Sequence, residues 1–370
     1  MKVKDICNLQ NGRAFKPDDW GTEGIPIIRI QNLNDMSAPF NYYAGEYSPV
    51  HEINDGELLF SWSGTPGTSF GAFRWNRGKG VLNQHIFKVL PKIDVDKDYL
   101  KYALNGNINT IIAKAHGGVG LQHITKKELD EIDVPIVSKK EQLEIVEQLM
   151  CIEKIILLRQ TELKKLNEII QARFVERFWD CNNMTFLKDL CLIITDGTHQ
   201  SPKFQNAGIP FIFVSNLINN DITYDTEKFI SNDTYNELIK RTPIEIGDIL
   251  LSTVGSYGHV AVVESEMKFL FQRHIAYIKP KRNIINSFYL RSALLSFDGQ
   301  RQIEEKVKGI AQKTLNLSEI KKIMVPVPDI KQQDEFASFV KEVDKSKVAV
   351  QQALDKAQLL FDSLMQQYFG

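Results

Sequence analysis

The chain has 370 residues, 43% apolar and 10% aromatic, which suits two or three folded domains and excludes a disordered polymer. Its net charge is −1, so any grip on nucleic acid has to come from local patches or from partner subunits. The four cysteines form no CxxC pair, which predicts reduced thiols and no zinc site, and the lack of a signal peptide or of an apolar run near about 18 residues predicts a soluble, cytoplasmic protein with no membrane contact.

In chain order, Ile25 to Ile30, Leu58 to Trp62 and Ile86 to Leu90 predict short strands bounded by Gly and Pro. Leu100 to Leu104 and Ile108 to Ala115 predict helices, ahead of the glycine-rich Gly117 to Gly120. Lys126 to Ile132 predicts a helical turn or two, and Val134 to Ile136 a closing strand. From Lys139 to Trp179 neither proline nor glycine occurs, and Leu149, Ile152, Ile156, Leu163, Leu166 and Ile170 mark a coiled-coil seam broken once, at Arg159. Phe211 to Val214, Ile249 to Ser252, Val260 to Val263 and Ile275 to Ile278 then predict strands, and Phe288 to Leu295 and Gln300 to Val307 helices. Gln332 to Phe369 repeats the seam with Val340, Val343, Val350, Leu354, Phe361 and Leu364, broken at Lys347. Those two charges either set register or snorkel to water.

The two halves repeat each other. Lys4-Asp5-Ile6-Cys7 returns as Lys188-Asp189-Leu190-Cys191, and Gly24-Ile25-Pro26 as Gly208-Ile209-Pro210, each 184 positions on; Leu149, Leu163 and Ile170 match Val340, Leu354 and Phe361 at 191. The chain therefore reads as an α+β protein with a pseudo-twofold internal repeat: a first globular domain over 1–137, a long helix over 138–180, a second globular domain over 181–329 and a second long helix over 330–370. Antiparallel pairing of the helices would set the domains at opposite ends of a rod of about 60 Å.

Catalytic signatures are missing. There is no phosphate loop of the G-x-x-x-x-G-K-[ST] type and no Pro-Pro of an amino-methyltransferase motif. His85 and His274 occupy matched positions without partners at ligand spacing, which predicts hydrogen-bonded strand histidines. What remains is a duplicated recognition surface. The loops from Ser61, Trp62, Ser63 and Thr65, and from Ser252, Thr253, Ser256 and Tyr257, are polar and aromatic, as phosphate and groove contacts require. Arg13, Lys16, Arg74, Arg77, Thr198, His199 and Lys203 offer further polar or positive groups nearby. The alternative is a scaffold whose duplicated domains bind protein.

The closing phrase Ile320, Ile323, Val325-Pro326 and Pro328, with Gln333 and Phe336 opening the helix, is answered by Leu129, Ile132, Val134-Pro135 and Gln142 with Ile145. In this layout the chain resembles the DNA-specificity subunits of Type I restriction-modification enzymes over its whole length. The first unit departs from the pattern at Val137, opposite Pro328, and at Glu57, opposite Asp248. The resemblance implies two target-recognition domains, each reading one part of a bipartite, asymmetric site in double-stranded DNA. It implies two methylation subunits and two restriction subunits as partners, with S-adenosylmethionine, ATP and Mg bound by those partners and no cofactor or catalytic residue in this chain.

Overall fold

The structure is a computed structural model that describes residues 1–64, 70–118, 121–309 and 312–370. The chain divides into two compact units, residues 1–159 with 353–370, and residues 160–352.

In the first unit the strands that position the candidate site are β1 (Cys7–Asn11), β2 (Ile25–Ile28), β3 (Leu58–Ser61), β4 (Gly71–Arg74), β5 (Gly80–Leu82) and β6 (Ile86–Pro91). An antiparallel sheet has the order β1-β6-β3-β4, with Leu9 opposite Val89 and Phe60 opposite Phe87. A second sheet holds β2 parallel to β5, Ile27 opposite Val81, with Asn41–Tyr43 and Glu52–Ile53 at its edges. Every residue of β3 is buried because its alternate side chains feed two cores. Leu58 and Phe60 join the core under the helix α1 (Lys97–Gly106), while Leu59 joins Ile28, Trp75, Leu82 and Ile86. A strand buried on both faces reads as an unbroken apolar run, which is how it stands in the sequence.

The second unit repeats the plan with β7 (Cys191–Asp196), β8 (Ile209–Ile212), β9 (Ile249–Ser252), β10 (Val260–Val262), β11 (Leu270–Phe271) and β12 (Ile275–Pro280). Its sheet order is β7-β12-β9-β10, and β8 runs parallel to β11. Ile249 and Leu251 face one core and Leu250 the other.

The long helices α2 (Lys139–Phe178) and α4 (Ile330–Phe369) have 40 residues each. Each unit contains the start of one and the end of the other. In the first unit Leu149 shares a core with Phe361, Leu364 and Phe369, and Tyr368 donates to Gln148 at 2.8 Å. In the second, Ile170, Phe174 and Phe178 share a core with Phe336, Val340 and Val343, and Arg177 lies 3.3 Å from Glu335. Within that unit rising numbers on α2 meet falling numbers on α4, so the helices pair antiparallel. Of the remaining seam residues, Ile152 and Val350 are buried, and Ile156, Leu163, Leu166 and Leu354 are half-buried. Arg159 is half-buried too. Lys347 bonds Asp344 at 2.8 Å, and Asp344 holds Arg291 at 3.0 Å, so this charge sits in an ion-pair network.

The repeat extends to single hydrogen bonds. Gln142 Oε1 accepts from Asp96 N at 2.8 Å and its amide donates to Val137 O at 2.9 Å; Gln333 accepts from Asn286 N at 2.9 Å and donates to Ile284 O and Pro328 O. Tyr99 and Tyr289 donate at 3.0 Å to Pro135 O and Pro326 O, each from the first turn of a helix, α1 or α3 (Ser287–Leu295). These bonds weld the Val-Pro segment, the domain helix and the start of the long helix into one joint.

Three expectations need correction. The strand expected to Ile30 ends at Ile28, because buried Asn32 accepts from Arg29 N at 3.0 Å and turns the chain into the helical turn Ile30–Asn34. Val134 to Ile136 form no strand: Val134 exchanges both backbone hydrogen bonds with Met1, but only in the second unit does a ladder form, between Met184–Phe186 and Met324–Pro326. The matched histidines lie in turns, not strands, just before β6 and β12.

Candidate nucleic-acid interface

In both units the strand of the parallel pair, β5 or β11, passes through a tight turn into the central strand, β6 or β12. The turn is Asn83-Gln84-His85 in the first unit and Gln272-Arg273-His274 in the second. Against it lies the end of the first strand, and the approach is close enough to require glycine. A Cβ on Gly12 would sit 2.2 Å from Asn83 O, and one on Gly197 would sit 2.3 Å from Phe271 O. The second turn is fixed by backbone bonds, from Arg273 N to Thr198 O at 3.0 Å and from Thr253 N to His274 O at 2.9 Å.

In the first unit this turn lines a concavity of about 400 Å³ with Phe15, Trp20, Arg29, Ile30 and Gln31. The Arg29 guanidinium lies 4.6 Å from the Trp20 ring centre and donates to Asn41 at 2.8 Å. Gln84 Oε1 accepts from Phe15 N at 3.3 Å, and its amide lies 3.3 Å from His85 Nε2. Burial pushes the pKa of His85 below the ordinary histidine value, and burial followed by the Arg273 charge does the same to His274, so both rings favour the neutral form. Neutral rings read hydrogen-bond patterns; they add no charge.

The structure separates the residues singled out from the sequence. Ser61, Ser63, Ser252 and Thr253 are buried, and Ser252 Oγ accepts from His259 N at 2.9 Å. Trp62 stacks between His85 and Phe87, centroids at 5.3 and 5.6 Å, as a half-buried wall of the core. Arg74 is bound to Asp98 at 3.0 Å, and Arg77 to Asn32 O and Ala38 O over the Phe40 ring. Arg13 donates to Glu46 O at 2.7 Å and stacks on Tyr43. His199 lies 2.8 Å from Asp196, which also holds Arg241. Tyr257 donates to Glu304 and accepts from Lys313, while Ser256 pairs with His259 at 2.9 Å. Lys16 and Lys203 are exposed, and Thr198 is half-buried beside Arg273. Thr65 lies outside the described residues.

Arg29, Trp20, Gln84 and Arg273 carry no local sequence signal that singles them out, although Gln84-His85 and Arg273-His274 stand in the sequence as a repeat; their placement comes from the fold. Among the described residues no three His, Cys, Asp or Glu side chains gather to hold a metal, and no helix is long and apolar enough to cross a membrane.

Two similar mixed domains, each welded to a long helix and each presenting a rigid polar turn, define a class of duplicated recognition protein. The family model for the Type I restriction modification DNA specificity domain matches residues 1–168 and again 182–358, and the chain belongs to that family. Among its relatives, the EcoBI specificity subunit of Escherichia coli is 23% identical across 100% of this chain and 85% of its own length. The MjaVIII specificity subunit of Methanocaldococcus jannaschii is 21% identical over 79% of this chain and 73% of its own. The Type I system S subunit from M. genitalium has the same fold, with a TM-score of 0.56 and 15% identity over 100% of this chain and 95% of that one.

Proposed function

We propose that the chain is the sequence-specific DNA recognition subunit of a Type I restriction-modification complex, each globular domain reading one half of a bipartite, asymmetric target. The observation that carries this reading is the double family match on two units that share topology and framework hydrogen bonds while differing in the side chains of the matched turns, half-buried Gln84 in one and exposed Arg273 in the other. A common frame with different surface side chains is what two readers of two different half-sites require. The chain is non-catalytic in this reading. Two methylation subunits supply S-adenosylmethionine and adenine N6-methylation, and two restriction subunits supply ATP- and Mg-dependent cleavage, all in the cytoplasm with the chromosome.

The near-neutral chain supports a division of labour in which partner subunits complete the positive surface around the duplex. Methylation-sensitive long-read sequencing of a host carrying the system, with and without this chain, is the test. The expected result is a two-part adenine-methylated motif present only with the chain. Methylation that persists after deletion of the chain, or no shift of any DNA by the complex, would instead favour the protein-binding scaffold.

A further inference from the structure

The arginines of the globular regions are almost all spoken for. Arg13, Arg74, Arg77, Arg241, Arg282 and Arg291 each hold a carboxylate or a backbone carbonyl, and Arg29 holds Asn41. Arg273 differs: it is exposed, and its guanidinium has no hydrogen-bond or ion-pair partner among the described residues. Yet its backbone is held by the turn and by the neighbouring strand end. Arg273 N bonds Thr198 O, Ile275 N bonds Gln272 O at 3.1 Å, and Gly197 leaves out the side chain that would push the neighbouring strand end away. An arginine on a fixed backbone, with nothing to bind inside its own chain, is available to a ligand outside it.

The position has a counterpart. Gln84 occupies the same place in the first unit, in the same turn and beside the same histidine, over the concavity lined by Arg29 and Trp20. There the amide is engaged, its Oε1 by Phe15 N and its Nε2 beside His85, whereas a free arginine fork matches the O6 and N7 of guanine in the major groove. Building on the proposed DNA-reading role, we infer that Arg273 is a specificity-determining residue that reads a G·C pair in the half-site of the second domain.

The experiment uses the whole chain co-expressed with its methylation and restriction subunits, with motifs read from the methylated genome. In R273Q and R273A the second half-site is expected to lose discrimination at one G·C position by about 10- to 100-fold, with the first half-site unchanged. R273K keeps the charge and loses the planar fork while lysine can still reach guanine, so it should relax the same position less than R273A does. If R273K restored the full motif while R273A lost methylation at all sites alike, Arg273 would be a phosphate contact and the inference overturned. An unchanged motif in R273Q, or equal loss of methylation in all three variants, would overturn it too. If the unaltered chain yields no bipartite motif, the recognition role itself fails, a result distinct from any of these.

Discussion

Gln142 and Gln333 are buried amides at the start of the two long helices, and each bonds two or three backbone groups. Replacing Gln333 by Leu would leave Asn286 N, Ile284 O and Pro328 O without the amide. Unsatisfied buried groups cost about 1–3 kcal/mol each before relaxation, so a net loss of about 2–4 kcal/mol is expected, read as a lower denaturant midpoint. Gly197→Ala tests close approach. Its Cβ would meet two backbone carbonyls inside 2.6 Å, and the strand end has to move. Overpacking costs about 1–3 kcal/mol, and the displaced turn should weaken recognition by the second domain while the first half-site is still read. Methylome readout of the variant checks both halves at once.

At the scale of elements, the ends of the long helices do more than extend a seam. Phe369 closes the first core against Tyr99, ring centres 5.4 Å apart, and Phe178 closes the second against Tyr289 at 5.0 Å. Phe369→Ala is expected to cost the first unit about 3–5 kcal/mol. Hydrogen exchange should show the loss over 97–106 and not over 287–295. The helical turn Lys126–Asp130 responds to acid. The Thr125 hydroxyl and backbone N–H, then His116, hold Glu128 down to about 2, and the ammonium groups of Lys2 and Lys4 hold Glu131 down to about 2, against 4.5 for a free glutamate. Because the folded values lie below the unfolded one, this stabilisation is present above 4.5 and is lost as pH falls from about 4.5 towards about 2. Glu131→Gln should flatten part of that acid limb in a melting-temperature titration.

For the whole molecule, replacing residues 1–137 by another recognition domain should change one half-site only. The graft must also accept Phe361 and Phe369, which reach the first core from the far end of the sequence. A graft that keeps Tyr99 and Tyr102 is expected to fold; one that replaces them with small residues is expected to lose methylation altogether. Seven residues inserted into each helix, after Arg159 and after Gln352, should lengthen the unread gap by about three base pairs, at about 1.5 Å per residue and 3.4 Å per base pair. A changed half-site with an unchanged gap in the methylome would sink the ruler role.

Duplication, the long helices and the family were legible in the sequence, because heptad spacing and repeated phrases such as Lys-Asp-Ile-Cys and Gly-Ile-Pro are local patterns that need no partner to be seen. The strands β1, β4 and β5 were not legible. In β1 only Cys7 and Leu9 alternate with polar Asn8 and Gln10, too short a run to stand out, and Gly71 and Gly80 open β4 and β5 with no alternating signal; pairing with β6, β3 and β2 holds them in place. The binding residues show the same division. Arginine and serine were visible as types, but whether a guanidinium is spent on Asp98, as at Arg74, or left free, as at Arg273, depends on which groups the fold brings within about 3 Å, and only tertiary structure decides that.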